Sequence, residues 1–95
     1  MVIAYAKIKL YAEWVQSLKD KRSMVKSLTE KIKNRFNVSA AEVECEDIHQ
    51  TAVIAVCCVS NDKVYAEALI GRVVNYIEGN TDAATENVYT EVFTV

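Results

Sequence analysis

Along this chain the spacing of apolar residues switches period several times, and the order of the switches restricts the fold more than any other feature. Val2, Ala4, Ala6, Ile8 and Leu10 alternate with Ile3, Tyr5, Lys7, Lys9 and Tyr11, the period of two that a strand with one fully apolar face requires. From Ser17 to Phe36 the period lengthens, and on a helical wheel Val25, Leu28, Ile32 and Phe36 fall within about 80° of arc. Arg22, Lys26, Lys33 and Lys19 fall within about 60° of one another on a different side. One face of this helix suits a core and another is positive. Ser17 is placed as N-cap with Asp20 three residues on, as in a capping box, and Asn37 offers the left-handed conformation that often closes a helix.

Residues 38–46 return to period two, with Ser39, Ala41, Val43 and Cys45 on one face and Glu42, Glu44 and Glu46 on the other. Asp47 and Ile48 fall where a tight turn belongs, and residues 50–59, QTAVIAVCCV, are apolar on both faces, as in a central strand. Ser60, Asn61 and Asp62 supply helix-start chemistry, Ala66, Ile70, Val73, Val74 and Ile77 recur at helical spacing, and Gly79 and Asn80 stop the helix. A polar loop over 79–87 and a closing strand over 88–95 complete the order strand, helix, strand, strand, helix, strand. Two helical crossovers, each leading to a strand parallel to the one before it, predict an α+β, ferredoxin-like βαββαβ fold: a four-stranded antiparallel sheet with two helices on one face.

With 95 residues, of which 52% are hydrophobic, the chain is expected to form a single domain over 1–95 that builds its core without metal or disulfides. The first residues carry Lys7 and Lys9 and no leading basic region, so they read as neither signal peptide nor membrane span; a cytoplasmic protein without a membrane role is expected. Charge is unevenly spread. Residues 1–36 hold nine cations and three anions, whereas 37–95 hold two and ten. The three cysteines form no CxxC pair, and neighbours such as Cys57 and Cys58 point to opposite faces of a strand, so free thiols are expected.

The segments SLKDKR at 17–22, RFNVSAAEV at 35–43, DIHQTA at 47–52 and VSND at 59–62 together resemble the YlxP-like family, small bacterial proteins of unknown function. The resemblance spans nearly the whole chain and implies a ferredoxin-like fold. Members are often encoded beside translation-initiation and ribosome-maturation genes, which implies a ribosomal or RNA context, and no catalytic residues are defined for them. Where members often have an aromatic residue before the hairpin Gln and a basic one after it, this chain has His49 and Thr51.

Lys19, Lys21 and Arg22 stand in or near the first turn of the helix, where the dipole favours anions, so a phosphate or carboxylate from outside is the expected partner. Extended by Lys26 and Lys33, the patch is the candidate anion- or RNA-binding site, suited to a phosphate backbone. The strand-three segment has neither aromatic nor glycine, unlike an RNA-binding sheet of the RRM type. The uncovered sheet face is expected to combine Ile3, Tyr5 and Lys7 with either Val53 and Ala55 or Ile54 and Val56, a patch that a homodimer or partner protein would cover. Cys45, Glu46, Asp47 and His49 crowd a turn but match no standard zinc spacing, and neither Ser nor Cys can be paired with the lone His49 as a nucleophile. No catalytic residue, metal or cofactor is therefore assigned, and a non-enzymatic binding protein is expected, with a dimerising protein-interaction module as the alternative. Trp14, before the first helix, is expected to cap the end of the core.

Overall fold

The computed structural model describes residues Met1–Val95. Its elements are β1 (Val2–Tyr11), α1 (Leu18–Arg35), β2 (Ser39–Glu44), β3 (Thr51–Ser60), α2 (Lys63–Gly79) and β4 (Ala84–Thr94). All four strands join one antiparallel sheet in the order β2-β3-β1-β4, which with both helices makes the ferredoxin-like α+β arrangement. The two most apolar strands are therefore the two central ones. They pair without interruption from Val2 opposite Ser60 to Tyr11 opposite Thr51.

Strand parity decides what the helices cover. Ala4, Ala6, Ile8 and Leu10 of β1 and Ala52, Ile54, Val56 and Cys58 of β3 are buried against Val25, Leu28 and Ile32 of α1 and Ala66, Leu69, Ile70, Val73 and Ile77 of α2. Both helices begin on side-chain caps that satisfy a free backbone donor: Ser17 Oγ accepts the N–H of Asp20 at 3.1 Å and Asp62 Oδ1 that of Tyr65 at 3.2 Å. Helix α1 ends differently from the expectation. Asn37 is not left-handed; the chain leaves through an extended Phe36 (φ −127°), and Cys45 is the non-glycine residue with positive φ. Phe36 then meets the Tyr76 ring edge-on at 5.5 Å, with the Arg35 guanidinium 5.2 Å over Tyr76, so the aromatic contact holds the helix end against α2.

Two further departures come from the sheet. A bulge between Glu42 and Glu44 shifts β2 against β3, so Glu42, opposite Ile54, turns to the helix side while Glu44, opposite Val53, turns to the open face. The glutamates thus do not share a face, because one extra residue in the ladder reverses side-chain parity. Strand β4 starts at Ala84 and not at Val88, since Ala84 and Thr85 still pair with Tyr11 and Leu10 beyond a second irregularity. Backbone pairing with β1 makes these polar residues a strand where their side chains give no alternating signal.

Ile8 is fully buried on a central strand. Ile8→Ala is expected to cost about 2–5 kcal/mol of stability, read from the midpoint of urea unfolding at unchanged slope.

Candidate functional site

The opening turns of α1 carry Lys19, Lys21 and Arg22, and the fold separates them. Lys21 falls one turn before Val25, within the arc of the apolar stripe, and is fully buried at 0% exposure. Its ammonium donates to the carbonyl oxygens of Cys45 at 2.6 Å, Glu46 at 3.2 Å and Thr51 at 3.2 Å. Glu42 Oε2 lies 2.8 Å from the same nitrogen. An ammonium has three protons and three carbonyls take them, so Glu42 neutralises the charge without making a hydrogen bond through that oxygen. Lys21 is thus not part of an exposed anion site, contrary to the expectation from sequence. A cation already saturated by the hairpin has nothing to offer a phosphate.

The connection from β2 to β3 is shaped around that ammonium. Cys45 takes φ 64°, and its carbonyl accepts the Ile48 N–H at 3.0 Å as well as a Lys21 proton. A non-glycine residue in this conformation costs roughly 1–2 kcal/mol, and the ammonium–carbonyl contact offsets it. Among Cys45, Glu46, Asp47 and His49 no metal-holding group of three side chains forms.

Lys19, Arg22, Lys26 and Lys33 are all exposed on α1. None forms an ion pair: the molecule's three are Lys7 with Glu44, Lys21 with Glu42 and Lys63 with Glu67. From Lys19 to Lys33 the stripe runs about 21 Å along the helix, at 1.5 Å per residue. A separate groove of about 420 Å³ lies beside α1, lined by Trp14, Ser27, Lys31 and Asn80 among others. Trp14, at 51% exposure, borders this groove and does not seal the core.

Ile3, Tyr5 and Lys7 meet on the open sheet face, where parity places Val53 and Ala55 and leaves Ile54 and Val56 under the helices. Ile3, Tyr5, Lys7 and Ala55, with Ala41, Cys57 and Phe93, line a shallow apolar concavity of about 580 Å³. Its polar members are internally paired: Lys7 Nζ lies 2.7 Å from Glu44 Oε2, while the Tyr5 and Tyr89 hydroxyls donate to Glu91 Oε2 at 2.7 and 3.1 Å. The Tyr5 ring stands 6.1 Å from Tyr89 and 6.5 Å from Phe93. Donation to Glu91 holds the Tyr5 proton and pushes its pKa up to about 12. Cys58, under the helices, has its thiol pushed up by burial. Tyr89, Glu91 and Phe93 were not singled out from sequence, although their alternation in VYTEVFTV was the signal that they share a face.

Residues 3–90 match the family model described as "Protein of unknown function (DUF503)". The chain belongs to this family. It is 34% identical over 62 residues to "Uncharacterized protein YlxP" of Bacillus subtilis (strain 168), an alignment covering 65% of this chain and 67% of that protein. Among solved structures it is similar to "De novo designed protein Foldit4", with a TM-score of 0.53 and 18% identity, covering 99% of this chain and 97% of the design. The family membership agrees with the sequence resemblance, and the likeness to the design concerns the fold alone.

Lys21→Ala would leave Glu42 and three carbonyls of the hairpin without their cation, and is expected to cost about 3–5 kcal/mol in urea unfolding, as when one partner of a buried pair is removed. Arg22→Ala, on the exposed face, is expected to stay within about 0.5 kcal/mol of wild type. For Tyr5, whose pKa is raised when folded, the hydrogen-bond contribution is complete below its ordinary value of 10 and is lost as pH rises through about 12. An ultraviolet titration is expected to show one tyrosine ionising near 12, and Glu91→Gln is expected to bring it back toward 10.

Proposed function

We propose that this chain is a non-enzymatic binding protein, ribosome- or RNA-associated, which holds the RNA phosphate backbone on Lys19, Arg22, Lys26 and Lys33. The observation that carries this reading is that four exposed cations line one flank of a rigid helix and none has a carboxylate partner in the fold. Local stability does not account for Lys19 and Arg22, since cations near a helix N-terminus oppose the dipole by about 0.3–1 kcal/mol each. With Lys21 and Glu42 neutralising each other inside, the outer stripe keeps its full charge. A cytoplasmic setting is part of this proposal, and a ribosomal context is what the family resemblance implies.

The sheet is a poorer surface for RNA. Strand β3 offers no aromatic ring for stacking, and the hydroxyls of Tyr5 and Tyr89 converge on an anionic carboxylate that repels phosphate. Recognition would rest on charge and shape, without reading bases.

Filter binding with a mixed-sequence RNA tests the proposal. Wild-type affinity is expected to fall with salt, with a slope of about −0.7 per phosphate neutralised on a single strand. Arg22→Glu/Lys26→Glu, which leaves the Lys21 knot intact, is expected to lose at least roughly tenfold in affinity at low salt with a shallower slope. Equal affinity of variant and wild type would remove the α1 stripe from the function.

A further inference from the structure

The two edges of the sheet are built differently. Strand β2 is short (Ser39–Glu44), interrupted by a bulge and carries two glutamates, all devices that discourage pairing with another strand. Strand β4 also carries two glutamates, Glu86 and Glu91, and one register shift, but the shift lies near its start and leaves eight residues in straight register where β2 has four. It is 11 residues long, contains no Lys, Arg or Pro, and keeps an unbroken register against β1 from Asn87 to Thr94. Outside its ladder with β1, no backbone hydrogen bond of residues 84–94 is made within the chain. Val88, Tyr89 and Phe93 are exposed along it at 38%, 51% and 39%. A straight edge of this length is a template for another strand.

We propose that the β4 edge pairs antiparallel with β4 of a second copy, joining two sheets into one continuous sheet about a two-fold axis through Thr90. The axis follows from strand geometry. In such a pair the two-fold stands perpendicular to the sheet, so directly opposed residues share a face and the axis must pass through a residue, not between two. The straight segment Asn87–Thr94 has its middle at Thr90 and Glu91. Centring on Glu91 would set that carboxylate against its own copy, a like-charge pair that destabilises a sheet. Centring on Thr90 sets Thr90 against Thr90, and Val88 against Val92, on the helix side, where these residues lie opposite Ala6, Ile8 and Ala4 of β1. On the open face it sets Tyr89 against Glu91, so that the hydroxyl that already donates to a carboxylate within one chain meets the same chemistry across the axis. β-branched and Thr–Thr pairs are among the favourable cross-strand neighbours.

The second copy is favoured over an unrelated peptide because this register sets β-branched residues against one another on the helix side, Thr90 with Thr90 and Val88 with Val92, and keeps the Glu91 carboxylates from opposing each other. It is favoured over stacking of the open faces because the outward backbone groups of β4 have no partner in the chain and gain hydrogen bonds only by pairing along the edge.

A residue on the axis meets itself, which makes the test specific. Sedimentation equilibrium of the wild type at micromolar concentration is expected to give twice the chain mass. Thr90 is exposed, so Thr90→Lys and Thr90→Glu are expected to keep the wild-type circular dichroism spectrum but to sediment separately as monomers. An equimolar mixture of the two is expected to recover the dimer, now with opposite charges on the axis, and Thr90→Ala is expected to remain dimeric throughout. A wild type that is monomeric at 100-fold higher concentration overturns the proposal, as does failure of the mixture to associate. A dimer that survives Thr90→Lys but dissociates in Ala55→Lys also overturns it, placing the contact on the open face.

Discussion

The arrangement of this protein turns on one buried ammonium. Lys21 extends from the first turns of α1 into the crook of the β2–β3 connection, where Cys45, Glu46 and Thr51 give it their carbonyl oxygens and Glu42 its charge. Removing a lysine from water costs several kcal/mol, and without the cation the carbonyls of Glu46 and Thr51 would lose their hydrogen-bond partner and Cys45 one of its two. Each side therefore resolves the other's deficit. The bond network spans the helix and the hairpin, so it sets how α1 enters the fold and how the connection turns, including the left-handed Cys45 and the bulge that aims Glu42 inward.

Setting the helix in this way also determines what it shows to solvent. Once Lys21, Val25, Leu28 and Ile32 face the sheet, Lys19, Arg22, Lys26 and Lys33 must face outward, because a helix cannot rotate one residue without its neighbours. The open side of the sheet behaves oppositely. There Lys7 is paired with Glu44 and the Tyr5 and Tyr89 hydroxyls donate to Glu91, leaving a largely apolar concavity. The molecule thus divides into a helix flank with unpaired cations, a largely apolar open sheet face and a long β4 edge with unpaired backbone.

That a designed protein with 18% identity shares this fold at a TM-score of 0.53 shows how little the scaffold alone says about activity. The alternation of β1 and β3 and the two amphipathic helices are what any sequence needs for this topology. Cations against a helix dipole and a long unpaired edge strand are features that a stable scaffold does not require.

Much of the fold was legible in order of residues alone, since periods of two and near 3.6 are backbone properties that each segment displays without its neighbours. The caps at Ser17 and Asp62 were legible for the same local reason. Lys21 was half legible: its spacing from Val25, Leu28 and Ile32 puts it on the buried stripe, but lysine is rarely buried without partners, and those partners lie 21 to 30 residues away. The bulge at Val43, the choice of Val53 and Ala55 for the open face, the early start of β4 and the meeting of Tyr5 with Glu91 all depend on register between strands distant in the chain. Local chemistry settles which residues can form an element and which faces are apolar. Pairing and burial, which exist only when the elements meet, settle which of the cations is a structural knot and which are free for a partner.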